Sequence, residues 1–155
     1  MSQSHLYCTF RVAGRLFGVP IRDVREVTTE TTCTRVPHSP PEVAGYVNIR
    51  GHIYLALDLR RLLGLPPGTN GHHRRLVLFQ QGVGTSFGVL VDEVGDIVTV
   101  EELQSEDLST SAADLSIAER SHLVTRLCKL PDELLAVLDP RRFLPLVEQA
   151  LTQHS

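Results

Sequence analysis

Residues 17–24 read FGVPIRDV, and the same pattern returns 70 positions later as FGVLVDEV at residues 87–94. Both copies begin with Phe-Gly-Val and close with two charged residues followed by valine. In-register agreement over eight residues indicates an internal repeat. Phenylalanine and β-branched residues suit a pleated surface, so each copy is predicted to contain a β-strand.

A second pair of segments extends the repeat. Residues 57–63 read LDLRRLL, and residues 138–144 read LDPRRFL. In the first copy Asp58 is a suitable N-cap for a short helical turn that Gly64 would end. We therefore expect two copies of a small unit, each with about five short strands and an aspartate-capped turn. A unit of roughly 65 residues buries too little surface to be stable alone, so the two are expected to share one interior.

Alternation and turn residues place the individual strands. Leu6, Cys8, Phe10 and Val12 alternate with polar or aromatic residues, which predicts a strand with this set facing inward. Further strands are expected at 24–28, 46–49 and 53–57, the last two meeting at Arg50-Gly51. Near the end of the chain Leu144, Val147 and Leu151 fall on one face of a predicted helix. The fold class is therefore mainly β, with short helical turns and a C-terminal helix.

Composition excludes several classes of protein. The 155 residues carry a formal charge of −3, and their basic residues are scattered, so neither a nucleic acid nor an anionic membrane is an expected partner. No apolar stretch approaches the ~20 residues that a membrane span needs, and residues 1–12 do not resemble a leader, so we expect a cytoplasmic protein. The three cysteines lack Cys-x-x-Cys spacing, which predicts neither a disulfide framework nor a zinc site.

Three local patterns suggest catalysis or metal binding, and each also has a structural interpretation. Residues 84–88 match Gly-x-Ser-x-Gly around Ser86, but a strand rather than a helix is predicted to follow the serine. His72-His73 lies in a linker rich in Pro, Gly and His without a second ligand pair. Asp92, Glu93 and Asp96 lie near a predicted turn, where such residues are common. We predict no catalytic residues, no metal ligands and no cofactor.

A binding role is better supported at residues 45–51, which read GYVNIRG. Alternation places Asn48 and Arg50 on the face opposite Val47 and Ile49. The arginine fork pairs well with a carboxylate, and Glu26, in the third predicted strand, becomes its partner if the two strand ends converge. The alternative is an ordinary surface salt bridge, worth ~0–1 kcal/mol.

Three blocks of the chain, at residues 17–27, 45–60 and 87–94, together resemble a known family. The middle block is the most specific, because VNIRG is followed by an apolar strand that ends in Asp-Leu-Arg. A weaker fourth block spans residues 123–144. In this order they resemble the CheW family of chemotaxis coupling proteins, as a single CheW-like domain over residues 1–155.

The resemblance implies two small SH3-like five-stranded β-barrels packed together, with no active site. It implies a non-enzymatic signalling adaptor that couples the cytoplasmic tip of a methyl-accepting chemoreceptor to the regulatory domain of a CheA-type histidine kinase. The receptor tip would lie in an apolar groove between the barrels. Glu26 and Arg50 match polar positions that the family links to coupling. By their position in the chain we add Val24, Val27, Val89 and Val91 as expected groove lining, and the adjacent Asn48 completes the expected partner-binding residues.

Some features depart from the family pattern. Before the last strand pair the family usually has glycines, whereas this chain has Arg126 and Cys128, so the second barrel is expected to be altered there. CheW-like adaptors also serve surface sensing and twitching motility, and the sequence does not select among these systems. A much less favoured alternative is a serine hydrolase using Ser86.

Overall fold

The computed structural model describes residues 4–29, 32–66, 74–101, 105–107 and 123–153. Within these ranges most residues lie in β-strands. The strands are β1 (Ser4–Val12), β2 (Arg15–Pro20), β3 (Val24–Thr28), β4 (Val43–Ile49), β5 (His52–Asp58), β6 (Arg75–Phe79), β7 (Phe87–Val91), β8 (Glu93–Glu101), β9 (Ser105–Asp107), β10 (Val124–Lys129) and β11 (Leu134–Leu138). The helices are α1 (Leu59–Leu62) and α2 (Phe143–Gln153), with 3-10 turns at Ile21–Asp23 and Pro140–Arg142.

The strands form two sheets. The five-stranded sheet has the order β3-β6-β7-β5-β4, and the six-stranded sheet has the order β8-β1-β2-β11-β10-β9. The sixth strand, β9, has only three residues and pairs with β10. The prediction of a mainly β fold with two small barrels and a C-terminal helix is confirmed.

The two halves of the sequence exchange strands. The motif strand β2 pairs in parallel with β11, where Phe17 lies opposite Ala136. The repeated motif strand β7 pairs in parallel with β5, where Phe87 lies opposite Leu55. Each copy of Phe-Gly-Val therefore pairs with the strand that precedes Leu-Asp in the other half of the chain. The expectation that each half forms its own unit was wrong, because parallel pairing joins strands that are distant in sequence.

Three apolar clusters fill the fold. The largest, the inter-sheet core, contains residues from both sheets, among them Phe10, Phe17, Leu57, Phe87 and Phe143. A second cluster draws only on the five-stranded sheet, including Val47, Tyr54, Leu76 and Leu78, and a third only on the six-stranded sheet, including Tyr7, Cys128 and Leu135. A sheet that buries both of its faces without a second covering layer must curl around its own side chains, as small barrels do.

This double burial corrects the predicted orientation of β1. Cys8, Phe10 and Val12 do face the inter-sheet core, but Tyr7 and Thr9, expected to face outward, are 4% and 2% exposed. Leu6, expected to face inward, is 50% exposed. The face of β1 that carries Tyr7 and Thr9 is buried because it is turned into the interior of the six-stranded barrel. The alternating pattern predicted a strand with only one buried face.

The glycine of the repeated motif allows close approach between strands. A Cβ atom at Gly88 would lie 2.5 Å from the Val77 carbonyl oxygen, and one at Gly18 would lie 3.1 Å from a Leu135 methyl group. The first is a backbone collision. The second is a tight contact with the end of a flexible side chain, and the nearest backbone atom there, the Cys8 carbonyl oxygen, lies 3.3 Å away. Packing rather than an unusual backbone angle therefore explains why glycine occupies this position in both copies.

Candidate functional site

Glu26 and Arg50 form an ion pair at the corner where the two edges of the five-stranded sheet meet. Glu26 lies on β3 and Arg50 in the turn after β4, and these strands stand at opposite ends of the sheet order. A terminal guanidinium nitrogen of Arg50 donates to a carboxylate oxygen of Glu26. The predicted pairing is confirmed. We call these two residues the Glu26–Arg50 corner.

The turn that carries Arg50 has an unusual backbone. Arg50 and Gly51 form a two-residue hairpin loop with φ angles of 51° and 88°. Positive φ at both central residues is the signature of a type I′ turn, where Asn-Gly is strongly preferred. Glycine fits the second position. At the first position the Cβ of any other residue crowds the backbone, and Asn or Asp offsets this cost with a local hydrogen bond that arginine does not provide. Arg50 therefore occupies a turn position for which asparagine would be the more favourable residue.

Asn48 stabilises this turn rather than pointing away from it. Its side-chain oxygen accepts a hydrogen bond from the Gly51 N–H at 2.9 Å. The contact fixes the backbone on both sides of Arg50 and so limits where the guanidinium can be presented. Asn48 is exposed, and the structure gives it this positioning role next to the corner.

The Glu26–Arg50 corner is charged and open to solvent. The hydrogen bond from Arg50 to Glu26, followed by the charge of Glu26, raises the pKa of Arg50 above its ordinary value. The side chain of Arg50 is 71% exposed, whereas that of Glu26 is 26% exposed. A guanidinium that contacts its carboxylate through one nitrogen keeps further N–H donors available to an incoming group.

The four valines named from the sequence separate into two groups. Val89 and Val91 are fully buried in the inter-sheet core, so neither can line a groove on the surface of this chain. Val24 is partly buried against the same core, and Val27 is 37% exposed on β3. All five residues of β7 are buried, so neither of its faces is open to a partner. We therefore leave Val89 and Val91 out of the proposed contact surface.

Strand register identifies two exposed residues that the sequence did not indicate. Val27 lies opposite Val77, a residue of the inter-sheet core, and therefore shares its face of the five-stranded sheet. On the other sheet Ile97 lies opposite Cys8, which also belongs to that core, and Leu6 lies two residues before Cys8 on the same face. Ile97 and Leu6 are 59% and 50% exposed. We call Val27, Leu6 and Ile97 the core margin, since they continue the inter-sheet layer to the surface.

The patterns that suggested catalysis have structural roles where the structure describes them. Ser86 precedes strand β7 rather than a helix, and its carbonyl oxygen accepts a hydrogen bond from the Leu55 N–H. The strand-turn-helix order of a nucleophile elbow is therefore missing. His72-His73 lies outside the described residues. Within the described ranges, no group of three or more His, Cys, Asp or Glu residues is placed to hold a metal ion.

Asp92 is held as a carboxylate by its neighbours. Burial alone would raise its pKa, but hydrogen bonds from Arg60 and from the Ala13 N–H, together with the charges of Arg60 and Arg74, lower it below the ordinary value of 3.8. Arg60 contacts both carboxylate oxygens, at 3.3 and 2.7 Å. An acid fixed in its ionised form suits a structural ion pair better than proton transfer near neutral pH.

The two departures in β10 are accommodated differently. Cys128 is completely buried among the residues inside the six-stranded barrel, and burial raises the pKa of its thiol. It acts there as a small apolar side chain. Arg126 is partly exposed, and a register irregularity lies between it and Val124. Both β10 pairings are retained, so the expected alteration of the second barrel is local.

Comparison with known proteins agrees with the fold. A family model described as "CheW-like domain" matches residues 6–148. The chain is 37% identical over 93 residues to the "Probable chemotaxis protein CheW" of Rhizobium etli, covering 60% of this chain and 59% of that protein. It is 35% identical over 85 residues to "Protein PilI" of Pseudomonas aeruginosa, covering 55% of this chain and 47% of that protein.

A solved structure supports the architecture over a longer span. The scaffolding protein TtCheW from Thermoanaerobacter tengcongensis superposes with a TM-score of 0.72 at 23% identity, covering 88% of this chain and 89% of that one. None of the described helices is long and apolar enough to cross a membrane. With a family match that spans nearly all of its length, the chain belongs to the CheW-like family.

Proposed function

We propose that this chain is a non-enzymatic signalling adaptor of the cytoplasm, which couples methyl-accepting chemoreceptors to the regulatory domain of a CheA-type histidine kinase. The observation that carries the proposal is the Glu26–Arg50 corner. An exposed guanidinium is held there by a carboxylate and by a turn whose positive-φ backbone disfavours arginine relative to Gly, Asn or Asp. Locally unfavourable backbone is found preferentially at functional sites.

The core margin supplies the apolar part of the proposed receptor contact. A receptor tip is a helical hairpin, and a helix docks into a groove through apolar side chains at helical spacing. Val27 on one sheet and Leu6 and Ile97 on the other are exposed members of a layer that is otherwise buried. We assign this margin, with the partly buried Val24, to the receptor, and the corner to the charged contacts that orient the partners.

An adaptor of this kind changes kinase activity only by binding one arrangement of kinase and receptor better than another. Each contact can be weak, because many identical contacts in a membrane-associated receptor array act together through a high effective concentration. Small surfaces such as the corner and the core margin are then sufficient.

A second candidate is the same adaptor role in a surface-sensing or twitching-motility system. The 35% identity to Protein PilI supports it. Both candidates use the same fold and differ in the identity of receptor and kinase. Affinity for receptor tips and kinase domains from each system of the same cell would distinguish them.

Binding measurements on corner variants test the proposal. Purified protein is titrated with the kinase regulatory domain and, separately, with a receptor-tip fragment, using wild type, Arg50→Ala, Glu26→Ala and the charge exchange Glu26→Arg/Arg50→Glu. Arg15→Ala is the matched control, because Arg15 is an exposed arginine on the six-stranded sheet. We expect both single variants to weaken binding to at least one partner while Arg15→Ala does not.

The charge exchange separates two roles of the corner. If the ion pair only holds the two sheet edges together, the double variant restores binding along with the pair. If Arg50 contacts the partner, binding stays weak in the double variant although the fold is retained. Wild-type binding by both single variants would remove the corner from the contact surface.

A further inference from the structure

The internal repeat places a counterpart of the Glu26–Arg50 corner in the six-stranded sheet. With the offset of 70 residues that relates FGVPIRDV to FGVLVDEV, Glu26 corresponds to Asp96. The pairing of β3 with β6 is irregular immediately before Glu26, and the pairing of β8 with β1 is irregular between Val94 and Ile97, which flank Asp96. Asp96 therefore occupies in the six-stranded sheet the place that Glu26 has in the five-stranded sheet.

The arginine of the corner has no counterpart there. The two Leu-Asp motifs are 81 residues apart, and the same offset places Pro131 at the position of Arg50. Strand register keeps this offset, since the motif phenylalanine lies opposite Leu55 in β5 and opposite Ala136 in β11. Proline carries no charge, and within the described residues Asp96 makes no side-chain ion pair. The second copy thus keeps the acid of the corner and lacks its arginine.

A pocket of about 240 Å³ lies beside Asp96, between β8 and the hairpin that joins β10 to β11. Its apolar lining includes Leu16, Val98 and Leu130, which pack against the cluster inside the six-stranded barrel. The volume is below the range of small-ligand sites, about 300–1,000 Å³. The pocket therefore suits one inserted side chain better than a complete small molecule.

Negative charge exceeds positive charge around this pocket. The charged residues that line it are Arg11, Glu93, Asp96 and Glu133. Arg11 is already engaged, because its two terminal nitrogens donate to the two carboxylate oxygens of Glu133, at 3.0 and 2.6 Å. Glu93 lies opposite Arg11 in the pairing of β1 with β8. Asp96 is the lining carboxylate that faces the pocket without an arginine beside it in the strand pairing.

Other basic residues close to the pocket in sequence face away from it. Arg15 precedes Leu16 in β2, and Lys129 follows Cys128 in β10, and both Leu16 and Cys128 belong to the barrel interior. Successive residues of a strand point to opposite faces, so Arg15 and Lys129 lie on the outer face. Both are exposed, and neither lines the pocket. The described part of the chain therefore supplies no second cation to it.

The backbone that carries Asp96 is fixed by a buried threonine. The Thr9 hydroxyl donates to the Asp96 carbonyl oxygen at 2.5 Å, and Thr9 is only 2% exposed. A Cβ atom at Gly95 would lie 2.8 Å from the Thr9 Oγ1, so the irregular part of β8 packs tightly on this residue. A carboxylate on a fixed backbone loses less conformational freedom when it binds a cation.

We propose that this pocket takes an arginine side chain of a partner protein, which forms with Asp96 the ion pair that Arg50 forms with Glu26 within the chain. The arginine fork pairs with the carboxylate, and the aliphatic stem packs on the apolar lining. The proposal goes beyond the coupling function, since it depends on neither the receptor nor the kinase. The pocket shares no lining residue with the Glu26–Arg50 corner or the core margin.

A titration with two matched probes tests the pocket directly. The full chain, labelled with ¹⁵N, is titrated with acetyl-arginine-methylamide and with acetyl-citrulline-methylamide, in which a neutral urea group replaces the guanidinium. We expect the arginine probe to shift the amide signals of Asp96, Val98 and Leu130 and to bind at least about 5-fold more tightly than the citrulline probe. Its affinity should fall as salt is added, because the contact is open to solvent.

Variants assign the effect to Asp96. Asp96→Asn should reduce the preference for the arginine probe to about 2-fold or less. Asp96→Glu keeps a carboxylate, as Glu26 does in the first copy, and should retain the preference. Glu148→Gln is the matched control, because it removes a negative charge from an exposed position on α2, and should leave the preference unchanged. Asp96 is exposed, so all three variants should melt near the wild-type temperature.

Five outcomes would overturn the proposal. Three concern the probes: equal binding of both, an equal loss in Glu148→Gln and Asp96→Asn, and no shift at the pocket residues up to about 50 mM arginine probe. The fourth is displacement of the arginine probe by about 1 mM Ca²⁺, which would assign the pocket to a divalent cation. The fifth is self-association of the chain that both Asp96→Asn and Arg50→Ala abolish, which would assign the pocket to a second copy.

Discussion

Arg141 forms a two-pronged ion pair with Asp23, a residue 118 positions earlier in the chain. A second pair, Arg60 with Asp92, repeats the arrangement. Each arginine follows a Leu-Asp motif, and each aspartate follows a Phe-Gly-Val strand of the other half. The two Arg–Asp ion pairs therefore link the same ends of the fold that the exchanged strands join. In both Leu-Asp motifs the aspartate also caps the turn, since Asp58 accepts from the Arg60 N–H and Asp139 from the Arg141 N–H.

The Arg141–Asp23 pair predicts an asymmetry between its two deletions. Arg141→Gln leaves the buried Asp23 carboxylate without its counter-charge, which should cost about 3 kcal/mol of unfolding free energy. Asp23→Asn leaves a half-exposed guanidinium that water can solvate, and should cost about 1 kcal/mol. Urea unfolding of both variants measures the difference. Equal costs, or a larger cost for Asp23→Asn, would show that the buried carboxylate does not govern this contact.

The Asp92 contact predicts a pH dependence of stability. Because its pKa is lower in the folded chain than the ordinary 3.8, the ionised form stabilises the fold at neutral pH, and this contribution is lost as the pH falls below 3.8 toward the lower folded value. Asp92→Asn should therefore be less stable than wild type by about 1–3 kcal/mol at pH 7. This difference in unfolding free energy between Asp92→Asn and wild type should become smaller in strongly acidic solution. A difference that is unchanged or larger there would contradict the stabilising role of the ionised Asp92.

The motif glycines predict different tolerances in the two copies. Gly88→Ala drives a methyl group against the Val77 carbonyl oxygen, so the strands must separate, and about 3 kcal/mol of stability should be lost. Gly18→Ala meets a Leu135 methyl group that can move and the Cys8 carbonyl oxygen at 3.3 Å, a tight contact but not a collision, and should cost about 1 kcal/mol. Thermal unfolding of the two variants side by side provides the check. A larger loss in Gly18→Ala would refute the packing explanation.

Arg50 predicts a substitution that weakens binding without weakening the fold. Asn is preferred over most residues at the first position of a type I′ turn, so Arg50→Asn should melt at or above the wild-type temperature despite losing the contact with Glu26. It should also melt about 2–4 °C above Arg50→Ala, whose Cβ has no compensating polar group in this conformation. A melting temperature for Arg50→Asn below that of Arg50→Ala would contradict the turn assignment.

The core margin predicts a position-dependent loss of receptor binding. Ile97→Ser and Val27→Ser each remove an exposed apolar side chain from the proposed groove, and each should weaken receptor-tip binding by about 5-fold or more. Leu134→Ser is the control, since Leu134 is 54% exposed but pairs near the opposite end of the six-stranded sheet. If all three substitutions weaken binding equally, the margin has no special role.

Local sequence patterns were sufficient for part of this structure. The strands, the turn at Arg50-Gly51, the cap at Asp58 and the Glu26–Arg50 pair follow from alternation, turn chemistry and charge. The exchange of strands between halves does not, because which strand pairs with which is decided by contacts far apart in sequence. Nor could the burial of Val89 and Val91 be predicted, because a strand buried on both faces has no polar–apolar alternation that indicates which residues face outward. Ile97 emerged only from its register with Cys8.

The central claim is that this chain bridges two proteins. Immobilised receptor-tip fragment is exposed to the kinase regulatory domain with wild-type chain, with Arg50→Asn, and with no chain, and the retained kinase domain is measured. We expect retention with wild type, a clear reduction with Arg50→Asn although its melting temperature is no lower than that of wild type, and none above background without the chain. Retention that does not depend on the chain, or competition between receptor and kinase for it, would contradict the bridging role.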